Sequence, residues 1–230
     1  MVRRSTGGGR RAASRGARLI VLGLTGGIAT GKSTATKALR RLGVPVHDSD
    51  ASVHRLLGPN GRAVPAIDKE FPGVVTGNEV DRAALGARVF GDRDALVRLE
   101  AIVHPLVRQD TKRFLLQAAR RGAKLVALDV PLLFEGGLWR EVDFILVTSA
   151  PRFLQLQRAL RRPGMNADKL HGIVARQTSD TVRRRHADLV LSTGQPRGVT
   201  LRLLRRALGE AKNRPARCWP PRAYVPKRKL

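Results

Sequence analysis

Eight consecutive residues, Gly26-Gly27-Ile28-Ala29-Thr30-Gly31-Lys32-Ser33, carry the spacing G-x-x-x-x-G-K-[ST]. A main chain that wraps a phosphate must aim several N–H groups inward, and glycine supplies both the φ angles and the close approach. The lysine of this pattern reaches the β- and γ-phosphates, and the hydroxyl after it ligates Mg²⁺. Gly26, Gly27, Ala29, Thr30, Gly31, Lys32, Ser33 and Thr34 are therefore the candidates for holding ATP, with Ser33 as the metal ligand. The competing reading is a glycine-rich turn with an accidental lysine.

The flanking residues favour the phosphate loop. Leu19, Ile20, Val21, Leu22 and Leu24 form a short apolar run, the pattern of a strand buried on both faces of a parallel sheet. After Ser33, Ala35, Ala38, Leu39 and Leu42 recur at helical spacing, with Gly43 as the stop. That helix would turn its unpaired N–H groups and positive dipole end toward the same phosphates.

A second strand is expected over Val44 to His47, followed by Asp48 and Asp50. Acids just beyond the carboxyl end of a parallel strand lie on the ligand-binding edge of an α/β sheet. One of Asp48, Ser49 and Asp50 should cap the next helix, which leaves another for chemistry. Asp129 closes a further apolar run, Leu125 to Val130, where it would serve as an N-cap or as a water-mediated Mg²⁺ contact.

The elements that position these groups alternate. Residues 58–80, rich in Gly and Pro, read as loops around one short helix, and residues 81–122 carry helical periodicity, with Pro105 expected to end or kink a helix after His104. "VDFILVTSAP" reads as a fourth strand, Arg152 to Arg185 as arginine-rich helix broken at "RRPGMNAD", "ADLVLSTG" as the last strand and "VTLRLLRRALGEA" as a closing helix. Strands alternating with helices imply a parallel sheet covered on both faces.

Composition bounds the rest. The chain of 230 residues can bury a full core and has no apolar run long enough to span a membrane. Its single cysteine, Cys218, excludes an intrachain disulfide and fits a reducing compartment. The histidines show no zinc spacing, and no structural metal is expected. Of the net charge of +26, residues 1–18 contribute six arginines without an acid, and residues 197–230 contribute eleven Lys and Arg against Glu210. Such tails could touch nucleic acid or anionic lipid, but disordered extensions without a specific partner are the favoured reading. The arginine- and serine-rich N-terminus also has the composition of an organelle transit peptide, the alternative to a cytoplasmic location.

The chain resembles the dephospho-coenzyme A kinase family, P-loop kinases of the nucleoside-monophosphate-kinase type. The resemblance rests on "GLTGGIATGKST" (23–34), "DSDASVHR" (48–55), "DRAALGARVF" (81–90), "LEAIVHPLVRQ" (99–109), "LDVPLLFEGGL" (128–138), "RALRR" (158–162) and "ARQTS…HADLVLSTG" (175–194). It implies an α/β P-loop NTPase three-layer fold with a central parallel sheet, a helical acceptor-binding insertion and a mobile lid. Residues 1–18 would be a disordered basic tail and 19–205 the kinase domain: core 19–57, 121–150 and 186–205, acceptor region 58–120, lid 151–185. Residues 206–230 would finish the last helix and form a basic tail.

The implied activity is ATP-dependent phosphorylation of the 3′-hydroxyl of dephospho-coenzyme A, with no specific nucleic acid as partner and an oligomeric state left open. Lys32 and Asp50 would be catalytic, Asp50 as general base unless it merely caps its helix, with Arg162 as the lid arginine over the transferring phosphate unless it is a solvated surface charge. His104 and Arg108 match H-P-L-[IV]-R on the acceptor side; Arg108 suits the acceptor's phosphates, and His104 could equally be a packed or capping residue. Leu132, Leu133 and Glu135 match the substrate-side segment, the leucines as apolar walls.

Three departures stand out. Ala29-Thr30 replaces the family's usual Gly-Ser, which implies strain if φ at Ala29 is positive. "ADLVLSTG" lacks the usual asparagine, which bears on base selectivity. The lid sequence "RPGMNAD" differs from the usual acidic-polar stretch. The competing functions are another small-molecule kinase on this scaffold, such as a nucleoside monophosphate kinase, and a basic nucleic-acid-binding protein.

Overall fold

A computed structural model describes residues 18–219. Both expected basic tails therefore lie partly outside the described residues, as does any transit segment.

The apolar run after Arg18 forms β1 (Ile20–Gly26), buried along its whole length. The phosphate-loop candidate follows and opens α1 (Lys32–Arg41), which stops at Gly43, at φ 77°. The chain continues through β2 (Val46–Asp48) and α2 (Ser49–Leu57), then α3 (Val64–Glu70). A two-stranded antiparallel hairpin, β3 (Val75–Thr76) and β4 (Glu79–Val80), precedes α4 (Arg82–Val89) and the long α5 (Arg93–Arg120). β5 (Leu125–Asp129) and β6 (Phe144–Ser149) are separated by a loop and a 3₁₀ turn, Leu138–Glu141. The final stretch is α6 (Arg152–Leu160), α7 (Ala167–Arg176), α8 (Asp180–His186), β7 (Leu189–Ser192) and α9 (Arg197–Lys212).

Five strands form one sheet in the order β2-β5-β1-β6-β7, and every pair is parallel. β1, β5 and β6 are buried on both faces, which explains their unbroken apolar sequences. Ile20, Leu22 and Leu24 face α1 and α9 through Leu39, Leu204 and Leu208. Val21, Val126 and Leu128 face Leu115 and Ala118 of α5 together with Phe134 and Trp139. Those two cores make the three layers. A third core joins α2, α3, the hairpin, α4 and the first half of α5 around Leu56, Ile67, Phe71 and Leu85.

Two details differ from the sequence reading. α5 runs through Pro105 without ending. Proline removes the N–H that would bond the Ala101 carbonyl, but both residues are exposed, so water can satisfy that carbonyl. The hairpin at 75–80 lies where only loops around one helix were expected. Beyond α9, the segment to Trp219 folds back onto the core: Asp143 Oδ1 accepts from the N–H groups of Arg217 (2.7 Å) and Cys218 (2.9 Å).

Candidate active site

The loop between β1 and α1 sits where strand order reverses, because β5 and β6 flank β1 on opposite sides. Its glycines have separate physical reasons. A Cβ on Gly26 would lie 2.0 Å from Thr148 Oγ1 on the paired strand β6. One on Gly27 would lie 2.7 Å from Arg183 Nη2, and Gly31 takes φ 88° as the N-cap of α1. Ala29 adopts φ 58°, so the strain foreseen for a positive angle is present, at about 1–2 kcal/mol. Ile28 and Ala29 pack with Ala159 and Leu170 of the α6–α7 region, a contact that helps hold the loop.

Side chains from four directions fix the loop. Thr30 Oγ1 donates to the Gly27 carbonyl (2.8 Å) and meets Thr148 Oγ1 at 2.8 Å. Thr193 Oγ1 donates to the Thr30 carbonyl (2.6 Å), Gln155 Nε2 to the Ile28 carbonyl (2.7 Å), and the Ile28 N–H to Gln177 Oε1 (3.1 Å). Thr30 thus braces the loop from beneath, and its own N–H is turned onto the Gly27 carbonyl at 3.3 Å. Ser33 and Thr34 are exposed in the first turn of α1.

Lys32 Nζ donates to Asp129 Oδ1 at 2.5 Å, and Thr36 Oγ1 donates to Asp129 Oδ2 at 2.5 Å. Asp129, only 3% exposed at the end of β5, is therefore held through both oxygens, and it makes no N-cap bond among the described contacts. Beside it in register, Asp48 caps α2 by accepting from the Ala51 N–H (3.0 Å). Of the three residues weighed as the cap, Asp48 fills the role and leaves the Asp50 carboxyl unassigned. Asp50 is solvent-exposed in the first turn of α2, yet its pKa is raised above the ordinary carboxylate value. Surrounding protein atoms that desolvate the carboxyl are the main cause; the Lys32 ammonium opposes the shift, and the carboxylates of Asp48 and Asp129 add to it. That pattern of influences places Asp50 in one electrostatic neighbourhood with Lys32.

The remaining candidates are spread around this centre. His104 and Arg108 lie one turn apart on α5, both exposed. Leu132 is 49% exposed, whereas Leu133 is fully buried in the core beneath β1. Leu133 therefore packs the sheet and offers no wall to a ligand in this conformation, a correction that follows from the tight turn after β5 pointing adjacent side chains in opposite directions. Glu135 accepts from the Thr178 N–H at 2.6 Å. Arg162 lies exposed in the turn after α6, while Arg158 is committed to Thr193, donating to its hydroxyl (3.1 Å) and carbonyl (2.9 Å).

Arg183 is a residue that sequence reasoning passed over. It is 5% exposed on α8, its guanidinium lies against Gly27, and its Nε finds no hydrogen-bond partner. Burial pulls its pKa down, and the carboxylates of Asp180 and Glu135 counter that shift. Within "TVRRRH" nothing distinguishes it from its neighbours; only the packing of α8 brings it to the loop.

No three His, Cys, Asp or Glu side chains converge as a metal cage among the described residues. An Mg²⁺ ion would need none, because it is commonly held by one or two protein oxygens together with substrate phosphates and water. The exposed Ser33 hydroxyl at the head of α1 fits that pattern.

A parallel five-stranded sheet with a lysine-bearing phosphate loop at its switch point defines a P-loop nucleotide-binding protein. Residues 20–196 match the family described as Dephospho-CoA kinase, and the chain belongs to that family. A Dephospho-CoA kinase of Rhodospirillum rubrum is 53% identical over 195 residues, covering 84% of this chain and 92% of that one. The crystal structure of TT1252 from Thermus thermophilus superimposes with a TM-score of 0.75 at 33% identity, over 84% of this chain and 98% of its own. A Dephospho-CoA kinase from Campylobacter jejuni shares the fold, with a TM-score of 0.58 at 20% identity, over 85% of this chain and 98% of its own. No helix among the described residues is long and apolar enough to cross a membrane.

Proposed function

We propose that this kinase transfers the γ-phosphoryl group of ATP to the ribose 3′-hydroxyl of dephospho-coenzyme A. Membership of the family supplies the reaction class, and the observation that carries the site assignment lies at the carboxyl edge of the sheet. Lys32 bonds Asp129 at the end of β5, Asp129 pairs in register with Asp48 of β2, and Asp50 stands in the first turn of the helix that follows, within electrostatic reach of Lys32. The loop N–H groups and Lys32 cradle the β- and γ-phosphates, and Ser33 together with those phosphates would hold Mg²⁺, which would supply positive charge against the phosphates. Asp50 accepts the 3′-hydroxyl proton as the ribose oxygen forms its bond to the γ-phosphorus. The bond from that phosphorus to the β–γ bridging oxygen breaks, and ADP departs.

Arg183 stands against the loop, and its unpartnered Nε suits charge on the transferring group. Arg162, in the segment joining α6 to α7, comes down over the phosphates when that lid closes, and closure excludes water as a competing acceptor. Arg108, and His104 one turn before it, face the acceptor with Leu132, while Glu135 links the substrate-side loop to the base of the lid. A cytoplasmic site of action fits a chain with a single cysteine, Cys218.

The test is an acceptor panel with ATP and Mg²⁺. Turnover on dephospho-coenzyme A, with at most a trace on nucleoside monophosphates, is expected; the reverse preference would replace this reading with a nucleoside monophosphate kinase.

A further inference from the structure

A groove of about 470 Å³ opens at the carboxyl edge of the sheet, within the size range of small-ligand sites. Its rim includes Ser49, the residue before Asp50, and Val130, the residue after Asp129. One wall is a face of α5, with Val107, Arg108, Thr111, Lys112 and Leu115 at helical spacing, about 12 Å of helix axis. Leu138 and Arg140 of the 3₁₀ turn stand opposite, and Leu128 forms part of the floor.

The far end is made by Arg217, Cys218 and Trp219 together with Val21. These are held in place by one buried carboxylate: Asp143 accepts from the Val21 N–H through Oδ2 (2.9 Å) and from Arg217 and Cys218 through Oδ1. Val21 lies at the start of β1 and Val130 just past the end of β5. The groove therefore runs down the sheet face, away from the phosphate loop. Its lining has four cations, Arg108, Lys112, Arg140 and Arg217, against the single acid Glu141, and its body is apolar.

Resting on the reading that dephospho-coenzyme A is the acceptor, we propose that this groove holds the acceptor's pantetheine arm, with Arg108 and Lys112 on the pyrophosphate and Cys218 and Trp219 around the thiol end. The order of groups along the ligand matches the order of residues along the groove. With the ribose 3′-hydroxyl at Asp50, the pyrophosphate on the 5′ side comes next, at the cationic upper turn of α5. The arm that follows is mostly methylene with two amides, and it meets Val107, Leu115, Leu128 and Leu138. A nucleoside monophosphate would end at the mouth. Residues 217–219 lie beyond the family match at 196, so the closed end is supplied by this chain's own C-terminal segment.

The wild-type protein carries its own reporter, because half-buried Cys218 is its single cysteine. The probe is dephospho-coenzyme A bearing a 2-pyridyl disulfide on its thiol; the Cys218 thiolate displaces pyridine-2-thione and forms a mixed disulfide. Mass spectrometry should find one adduct at Cys218, formed at least about tenfold faster than with the pyridyl disulfide of pantetheine alone and suppressed by S-methyl dephospho-coenzyme A. Equal rates for the two probes, or no suppression, would overturn the placement.

A second arm uses Trp219→Ala. The KM for dephospho-coenzyme A should rise about tenfold with kcat within about twofold, while kcat/KM on the methyl ester of ADP, which lacks the arm, stays unchanged. Equal losses on both acceptors contradict the proposal. If the wild type phosphorylates dephospho-coenzyme A but shows no preferential adduct, only the arm's placement fails; if it does not turn over dephospho-coenzyme A at all, the functional reading fails with it.

Discussion

Lys32 and Asp129 meet at 2.5 Å across the carboxyl edge of the sheet, the lysine side chain partly exposed and the carboxylate almost entirely enclosed. Asp129 thus holds the loop's cation at the end of β5, while Thr36 occupies the other carboxylate oxygen. Lys32→Ala should lower kcat about a thousandfold, by analogy with loss of a preorganised charge-stabilising group. It should also cost about 1–3 kcal/mol, because Asp129 keeps only the Thr36 hydroxyl as partner. Steady-state kinetics with a denaturant melt reads both, and a kcat loss under tenfold contradicts the role.

Asp50 separates activity from stability. Its folded pKa is raised, so the carboxyl favours folding most below its ordinary unfolded value, and that contribution is lost as pH rises through the folded value. At neutral pH the ionised group is thus mildly unfavourable to the fold. Asp50→Asn should leave the melting temperature equal or higher at pH 7 while reducing kcat about 10²–10⁴-fold. In the wild type, the acid limb of kcat/KM should fall at a pH above that of an ordinary aspartate. An acid limb unchanged in the variant would exclude Asp50 as the base.

Arg183 invites a paired test with the glycine it overlies. Arg183→Met should lower kcat about 10²-fold with a smaller effect on ATP binding, and Arg183→Lys should recover part of the loss. Gly27→Ala pushes a methyl to within 2.7 Å of the guanidinium and should reproduce the defect. A kcat unmoved in all three variants would reduce Arg183 to a packing residue.

Phe90, at the end of α4, lies under the Arg176 guanidinium at 5.5 Å, a contact between the insertion and the end of α7. The ring is otherwise 77% exposed. A cation–π contact at an exposed site contributes about 0.5–1 kcal/mol, enough to bias closure about two- to fivefold. Phe90→Ala should therefore raise ATP hydrolysis measured without acceptor by about that factor. An unchanged hydrolysis rate would separate this contact from closure.

The parts legible in the sequence were those set by local rules. β1, the loop and α1 followed from a buried apolar run, three glycines and helical spacing, and Gly43 ended α1 as a left-handed glycine should. β2 began two residues later than expected, because Val44 still donates to the Leu39 carbonyl and belongs to the helix exit. The hairpin at 75–80 escaped notice because two-residue strands have no periodicity to detect. Leu133 could not be told from Leu132, since adjacent leucines carry no sign of which one a turn buries. Arg183, Gln155, Gln177 and Thr193 reach the loop from distant elements. Their roles arise only from packing, and no local spacing announces them.

The most direct measurement is phosphorus NMR of a reaction containing the purified protein, ATP, Mg²⁺ and dephospho-coenzyme A. The account predicts a new 3′-phosphomonoester resonance growing in step with ADP, absent with Asp50→Asn. ADP accompanied only by inorganic phosphate, or a phosphoryl group found on any other position of the acceptor, would contradict it.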